Sequence, residues 1–188
     1  MLNNHIISLI AAYTKSGRVI GSGGKIPWSL KSERNRFKKI CNNKKIIMGR
    51  KSFEEIGHAL PYCTIIILSR TLKAAPQGCI LARTLEEAID KADETDKADN
   101  SDEIIIAGGG ELYQQTMPFA DKIYATEIDI DFDKDFYTDI EGTVFFPELD
   151  KNGSSDGKWK CFEEESHCEK DLISGKDICY KYLTYTRI

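Results

Sequence analysis

Four short apolar runs punctuate the chain. His5–Tyr13 (HIISLIAAY) is apolar at nearly every position, and Lys45–Met48, Thr64–Leu68 and Glu103–Ala107 repeat that look. A strand with one wet face alternates between apolar and polar, so a continuous run predicts a strand covered on both faces. Helix-length segments separate the runs. The pattern therefore predicts parallel strands in an α/β layer fold. Two helix starts are marked by Ser52-Phe-Glu-Glu55 and Thr84-Leu-Glu-Glu87, which match the capping box of Ser or Thr with Glu three residues on. A further helix is predicted from about Ser29 to about Cys41. Another follows Gly109 and ends at Met117, because Pro118 disfavours helical backbone before it. The tail Trp159–Ile188 alternates, as two antiparallel strands around a turn at Ser174-Gly175 would.

Composition narrows the class. At 188 residues the chain is expected to form one domain, and 41% hydrophobic with 30% charged residues excludes a disordered, collagen-like or coiled-coil chain. The balance of 26 basic against 30 acidic residues shows no basic footprint, so no nucleic-acid partner is expected. No stretch approaches the roughly 18 apolar residues of a membrane span, and no membrane partner is expected either. Met1–His5 lacks the charged start of a signal peptide. The six cysteines, Cys41, Cys63, Cys79, Cys161, Cys168 and Cys179, include no Cys-x-x-Cys pair and read as reduced thiols of a cytoplasmic protein. Cys161 and Cys168 with His167 lack a second ligand cluster, so they read as strand residues and no metal is expected. The acidic stretch Asp90–Asp102 reads as a solvated helix end and loop. Asp129–Gly142 lacks EF-hand spacing and reads as a long loop between strands.

Three strand ends share one chemistry. Gly49-Arg-Lys-Ser52 follows the second run, Ser69-Arg70 the third and Gly108-Gly-Gly110 the fourth. Helix starts expose unpaired N–H groups and a partial positive charge that favour phosphate, and glycine lets the backbone approach a ligand. With Arg50, Lys51 and Arg70 added, these turns suggest a ligand carrying several phosphates, such as a dinucleotide. A glycine triplet is also often no more than a tight turn. Neither G-x-G-x-x-G nor a Walker lysine is present.

The helix after Trp28 carries an acid in an unusual place. Leu30, Phe37, Ile40 and Cys41 fall on one apolar stripe; Glu33 lies within it and Arg34 at its margin. Lys31, Ser32, Asn35, Arg36, Lys38 and Lys39 make the polar remainder. A carboxyl group on an apolar face is costly unless paired or used. Burial would raise its pKa and suit it to proton donation near neutral pH. A surface pair of Glu33 with Arg34 accounts for the same pattern.

Val19-Ile-Gly-Ser-Gly-Gly-Lys-Ile-Pro-Trp28, then Ser-Leu-Lys-Ser, Glu33, three residues and Phe37 resemble the signature of the dihydrofolate reductase family. The resemblance extends through Ile46–Gly57, Ile65–Arg70, Ile104–Tyr113, Lys122–Asp129 and Val144–Pro147, in the family's order. It implies a single-domain α/β fold, a mixed, mostly parallel eight-stranded sheet flanked by about four helices. It also implies a monomeric enzyme of a class targeted by antifolates, one that moves a hydride from NADPH to C6 of dihydrofolate while N5 takes a proton. By that resemblance Glu33 is the acid, Thr126 shares its network, and Trp28 closes its water pocket. Ile10, Ala11 and Ala107 would meet the pterin, and Phe37, Ile56 and Leu60 would wall the aminobenzoyl ring. Ala12 and Ile20 would fix the nicotinamide amide, with Tyr113 near the ring. Gly49, Arg50, Lys51 and Ser52 would meet phosphates. Leu68, Ser69 and Arg70 would hold the 2′-phosphate end. Gly108, Gly109, Gly110 and Leu112 would hold the pyrophosphate.

Departures from the family pattern bear on substrate. Cys63 follows Leu60-Pro61-Tyr62 where relatives carry an Arg that forks onto the folate α-carboxylate, and a thiol cannot replace a guanidinium. Arg34 stands where an apolar residue is usual, and is a candidate to take over that clamp. Ala107 is smaller than the usual Ile or Val, and Glu111 stands where some members have Arg. Ser22-Gly-Gly-Lys25 is glycine-rich and reads as a mobile lid. Two other functions stay open on these residues: a reductase of the same fold acting on a pterin or pyrimidine without the glutamate tail, and an NADPH-binding module without catalysis.

Overall fold

The computed structural model describes residues 5–95, 102–131, 143–149 and 159–188. Residues 96–101 of the acidic stretch and 132–142 of the long loop lie outside the described residues.

The first apolar run forms β1 (Ile6–Thr14), followed by the short β2 (Val19–Gly21) and helix α1 (Lys31–Cys41). Then come β3 (Lys45–Gly49), α2 (Arg50–Ile56), β4 (Thr64–Leu68), β5 (Cys79–Ala82), α3 (Leu85–Glu94), β6 (Glu103–Ile106) and α4 (Gly110–Thr116). A single 3-10 turn at Met117–Phe119 takes in Pro118, and β7 (Lys122–Ile128), β8 (Val144–Phe145), β9 (Trp159–Lys170) and β10 (Asp177–Arg187) complete the order. One eight-stranded sheet runs β5-β4-β3-β6-β1-β7-β10-β9. Its strands are parallel from β5 through β7, and β10 lies antiparallel to both β7 and β9. The expected mixed, mostly parallel sheet with four helices is present. β2 and β8 pair separately.

The continuous apolar runs serve two cores. From β1, Ile7, Leu9, Ala11 and Tyr13 pack on one face with Ala88, Ile89 and Ala92 of α3 and Leu112 and Tyr113 of α4. Ile10 points to the other face, with Cys41 and Phe37 of α1 and Phe53 of α2. Trp28 and Leu30 nucleate a third cluster against Ile128, Ile178 and Tyr180.

Three expectations need correction. Ser52 is not a helix cap, because α2 begins at Arg50 with Gly49 as its N-cap; the backbone of Gly49 is held by its N–H donating to Gly108 O at 2.7 Å. Thr84 does cap α3: its hydroxyl accepts from Glu87 N–H at 3.1 Å, while Glu87 accepts from Arg83 N–H. Second, the cysteines are not all free thiols. Cys168 and Cys179 are joined in a disulfide, since the β9–β10 register sets them directly opposite, with Cα atoms 4.0 Å apart. Third, Arg36 does not belong to the solvated face of α1. It is half-buried with its guanidinium 4.5 Å from the centre of the Tyr182 ring, while Arg34 is exposed.

Candidate active site

Helix α1 carries Glu33, and two carboxylates from the far end of the chain set its start. Leu30 occupies the N-cap position but offers no capping side chain. Glu169 of β9 accepts from Ser32 N–H at 3.0 Å, and the buried Asp171 accepts from Ser29 N–H at 2.6 Å. Acceptors at a helix start satisfy open N–H groups and suit the dipole. Asp171 also accepts from Ser174 N–H at 2.6 Å, so it organises the β9–β10 turn as well. These caps lie 137 and 142 residues from the groups they serve.

Glu33 itself is crowded by protein and forms no hydrogen bond or ion pair among the described residues. Burial pushes its carboxyl up to about 7, with Arg36 and Arg34 pulling it down and Glu169 adding to the rise. Arg36 Nη1 donates to Thr126 Oγ1 at 3.4 Å, and Thr126 is buried on β7 opposite Ala12 of β1. Trp28 is buried in the cluster below. Phe37, Ile56, Leu60 and Ala107 gather around Ile10 on the same side of the sheet. Cys63 joins them, its thiol pushed up to about 11 by burial and donating weakly to Leu60 O. The Ile10 carbonyl accepts from Tyr113 Oη at 2.6 Å, so Tyr113 bridges α4 and β1 beneath the pterin side expected from the sequence.

The glycine turns meet one another. The carboxyl ends of β3 and β6 bring Gly49 against Gly108 and Gly109, joined to each other by a cis peptide, with Ser52 Oγ beside both. Gly110 has no room for a side chain, since an added Cβ would fall 2.6 Å from Val144 Cγ1. Gly108 has φ +100, which favours glycine. Ile20 of β2 lies beside Gly110. Arg50 pairs with Glu54 at 2.6 Å, and Lys51 is exposed. Leu68 ends β4. Ser69 Oγ accepts from the N–H groups of Thr71 and Leu72, and Arg70 is exposed beside it. Leu112 and Ala11 face the core, so any part they play in binding falls to the backbone. The glycine-rich segment expected to act as a lid forms a tight turn: Ser22 and Lys25 exchange backbone hydrogen bonds across Gly23 and Gly24, both at positive φ.

Sequence reasoning missed Arg83, whose Nη1 donates to Ser69 O at 2.8 Å and so adds a cation to that edge. Its signal was its place, one residue before the Thr84 cap.

A mostly parallel sheet whose neighbouring strand ends carry glycine and serine turns, with one crowded carboxyl group on the helix after Trp28, is an arrangement suited to an α/β enzyme that uses a nucleotide. The family model for dihydrofolate reductase matches residues 6–187. A dihydrofolate reductase of Haemophilus influenzae is 39% identical over 142 residues, 76% of this chain and 79% of its own. That of Bacillus subtilis is 32% identical over 182 residues, 97% and 95% of the two chains. The solved dihydrofolate reductase of Enterococcus faecalis, complexed with NADP(H), superposes with a TM-score of 0.74 at 26% identity, covering 97% of this chain and 96% of that one. The chain belongs to the dihydrofolate reductase family.

Proposed function

We propose that the chain reduces 7,8-dihydrofolate to 5,6,7,8-tetrahydrofolate with NADPH, with Glu33 governing the proton delivered to N5. The observation that carries this reading is the Glu33 carboxyl, raised to about 7 and without a hydrogen-bond partner among the described residues. An acid in that state holds a proton for much of the time near neutral pH, the poise that proton delivery needs. Its oxygens are free to engage the pterin amino group and N3. Thr126 supplies a hydroxyl to the same network, and Trp28 excludes bulk water from it. The Ile10 carbonyl keeps a lone pair beyond its bond to Tyr113 for the amino group, and the Ala107 carbonyl provides a second acceptor. Phe37, Ile56 and Leu60 wall the aminobenzoyl ring.

The residues fit the cofactor. Gly110 has no space for a side chain and Gly108 is tightly bounded by Tyr113 at a φ that favours glycine, so the backbone there is bare enough for a pyrophosphate to approach. Arg50, Lys51 and Ser52 supply phosphate donors. The Arg50–Glu54 pair is partly exposed and costs little to exchange for a phosphate. Ser69 and Arg70, with Arg83 behind them, suit a 2′-phosphate, while Ala12 and Ile20 offer backbone groups to the amide. When bound, NADPH supplies the hydride to C6. We read the enzyme as a cytoplasmic monomer.

A second reading rests on Cys63. A neutral thiol in place of the clamp favours a substrate without the glutamate tail; Arg34, exposed on α1, is the group able to restore the clamp. NADPH absorbance followed with dihydrofolate, then with a tail-less dihydropterin, separates the two. Turnover of dihydrofolate supports the first reading and turnover of the dihydropterin alone the second. NADPH binding with no turnover of either makes the chain a binding module. Arg34→Leu should raise KM for dihydrofolate several-fold and leave the dihydropterin unaffected.

A further inference from the structure

We propose that Arg36 is a positioning residue for the proton step: its guanidinium, seated on the Tyr182 ring, orients the Thr126 hydroxyl and holds a fixed positive charge beside Glu33. The proposal rests on the reading of Glu33 as the acid. Three observations support it. The guanidinium lies 4.5 Å from the centre of the Tyr182 ring, so a cation–π contact holds it over β10. It donates to Thr126 Oγ1 at 3.4 Å, a long bond that nonetheless occupies an oxygen lone pair and leaves the Thr126 hydrogen to be donated elsewhere. Its ring contact and its single hydrogen bond engage neutral groups, so among the described residues no carboxylate is ion-paired with it.

An Arg drawn off the water-facing side of a helix loses solvation. Burial indeed lowers its affinity for its proton, with Tyr182, Glu33, Glu163 and Glu165 opposing that loss. A guanidinium stays charged through such a shift. The environment of Glu33 is then a balance of named groups. Arg36 and Arg34 on α1 favour its ionised form, and Glu169 of β9 opposes it. Tyr182 and Tyr113, both neutral phenols with raised pKa values, face it from β10 and α4. Arg36 is the strongest of the charges that favour ionisation, so it keeps the acid from rising further. The same charge opposes a developing positive charge at N5. Both effects have one sign: removal of Arg36 lets the protonated state persist to higher pH.

The test is the pH dependence of single-turnover hydride transfer in Arg36→Met, Arg36→Lys and Glu33→Gln. Arg36→Met should carry the high-pH limb of the rate profile upward, so that a several-fold larger fraction of the maximal rate survives at high pH. Arg36→Lys, which keeps the charge without the planar fork, should return the limb towards the parent position. Tyr182→Leu, which removes the platform and leaves the Arg, should give a partial shift if Arg36→Met fails to fold. A limb unmoved in Arg36→Met, or in Tyr182→Leu where only that variant folds, overturns the proposal when Glu33→Gln is inactive at neutral pH. If Glu33→Gln instead keeps ordinary activity, the reading of the acid has failed, and the proposal falls with it.

Discussion

Glu33 and Glu103 are carboxylates set against opposite ends of the same strands, and their surroundings differ in kind. Glu103 opens β6 at the amino end of the sheet and is buried. It accepts from Ser8 Oγ at 2.5 Å and Tyr124 Oη at 3.0 Å, and pairs with Lys44, with Lys122 4.0 Å away. Burial pushes its pKa up, but Lys44, Ser8 and Lys122 outweigh that and hold it below the usual value. Glu33 is pushed up by burial and has no such partners. The contrast separates two uses of an acid in low dielectric. A satisfied carboxylate fastens strands together; an unsatisfied one is left in a state that only a ligand or a proton relieves.

The largest expected effect breaks the contrast at Glu33. Glu33→Gln should lower hydride transfer at neutral pH by about 10²- to 10⁴-fold, the usual range for a lost acid–base group, and leave NADPH affinity unchanged. Single-turnover rates between acid and neutral pH check this, and the deficit should shrink towards low pH, where N5 takes its proton from solvent. Next is Glu103→Gln, which should cost about 2–4 kcal/mol of stability by stranding Lys44, less than for a fully sealed ion pair. Urea melts read that loss, while kcat of the folded variant should match the parent.

The pH dependence of stability sharpens the comparison further, because the two acids have opposite signs. Glu103, lowered in the fold, contributes stability that is present above the unfolded pKa and lost as pH falls through the folded value. Glu33 is raised from 4.5 to about 7, so the folded state holds its proton more tightly than the unfolded chain does. Its ionisation burdens the fold above about 7, and the burden lifts as pH falls towards 4.5. Glu33→Gln should therefore be more stable than the parent at pH 8 by roughly 1–2 kcal/mol, discounted for the side chain's partial exposure. The gap should close by about pH 5. The smallest effect lies away from both acids: Arg70→Ala should narrow the preference for NADPH over NADH by about 1 kcal/mol, as an exposed phosphate contact would. Cofactor titrations measure it, and equal affinity in the parent would contradict the assignment.

What could be read in the sequence was what lies close together along the chain. Continuous apolar runs marked β1, β3, β4 and β6, since burial on both faces leaves no polar position to mark a wet side. Thr84 marked α3 because a cap and its N–H groups are three residues apart. The α2 start escaped because Gly49 is held by Gly108 across the sheet, and no local signal carries that. Arg34 and Arg36 were assigned by position round a helix, which says nothing of the Tyr182 ring waiting on another strand. The pairing of Cys168 with Cys179 needed the strand register. Glu33 stood out on its helix, but a surface pair with Arg34 explained it equally well until the partners were seen to be missing.

The capping of α1 by Glu169 and Asp171 gives the site a place in the order of synthesis. A ribosome adding roughly 5–20 residues each second completes the Glu33 helix early and reaches the hairpin that fastens its start on the order of ten seconds later. Through that interval the acid rides on a helix whose first N–H groups have only water or transient acceptors. β10, which pairs with β7 and carries Tyr182, is also still to come. A nascent chain thus holds the residues of the glycine turns well before it holds the groups that fasten α1 and support Arg36. The stretch made after β7 is the one that fixes the start of the Glu33 helix and seats the Arg36 guanidinium.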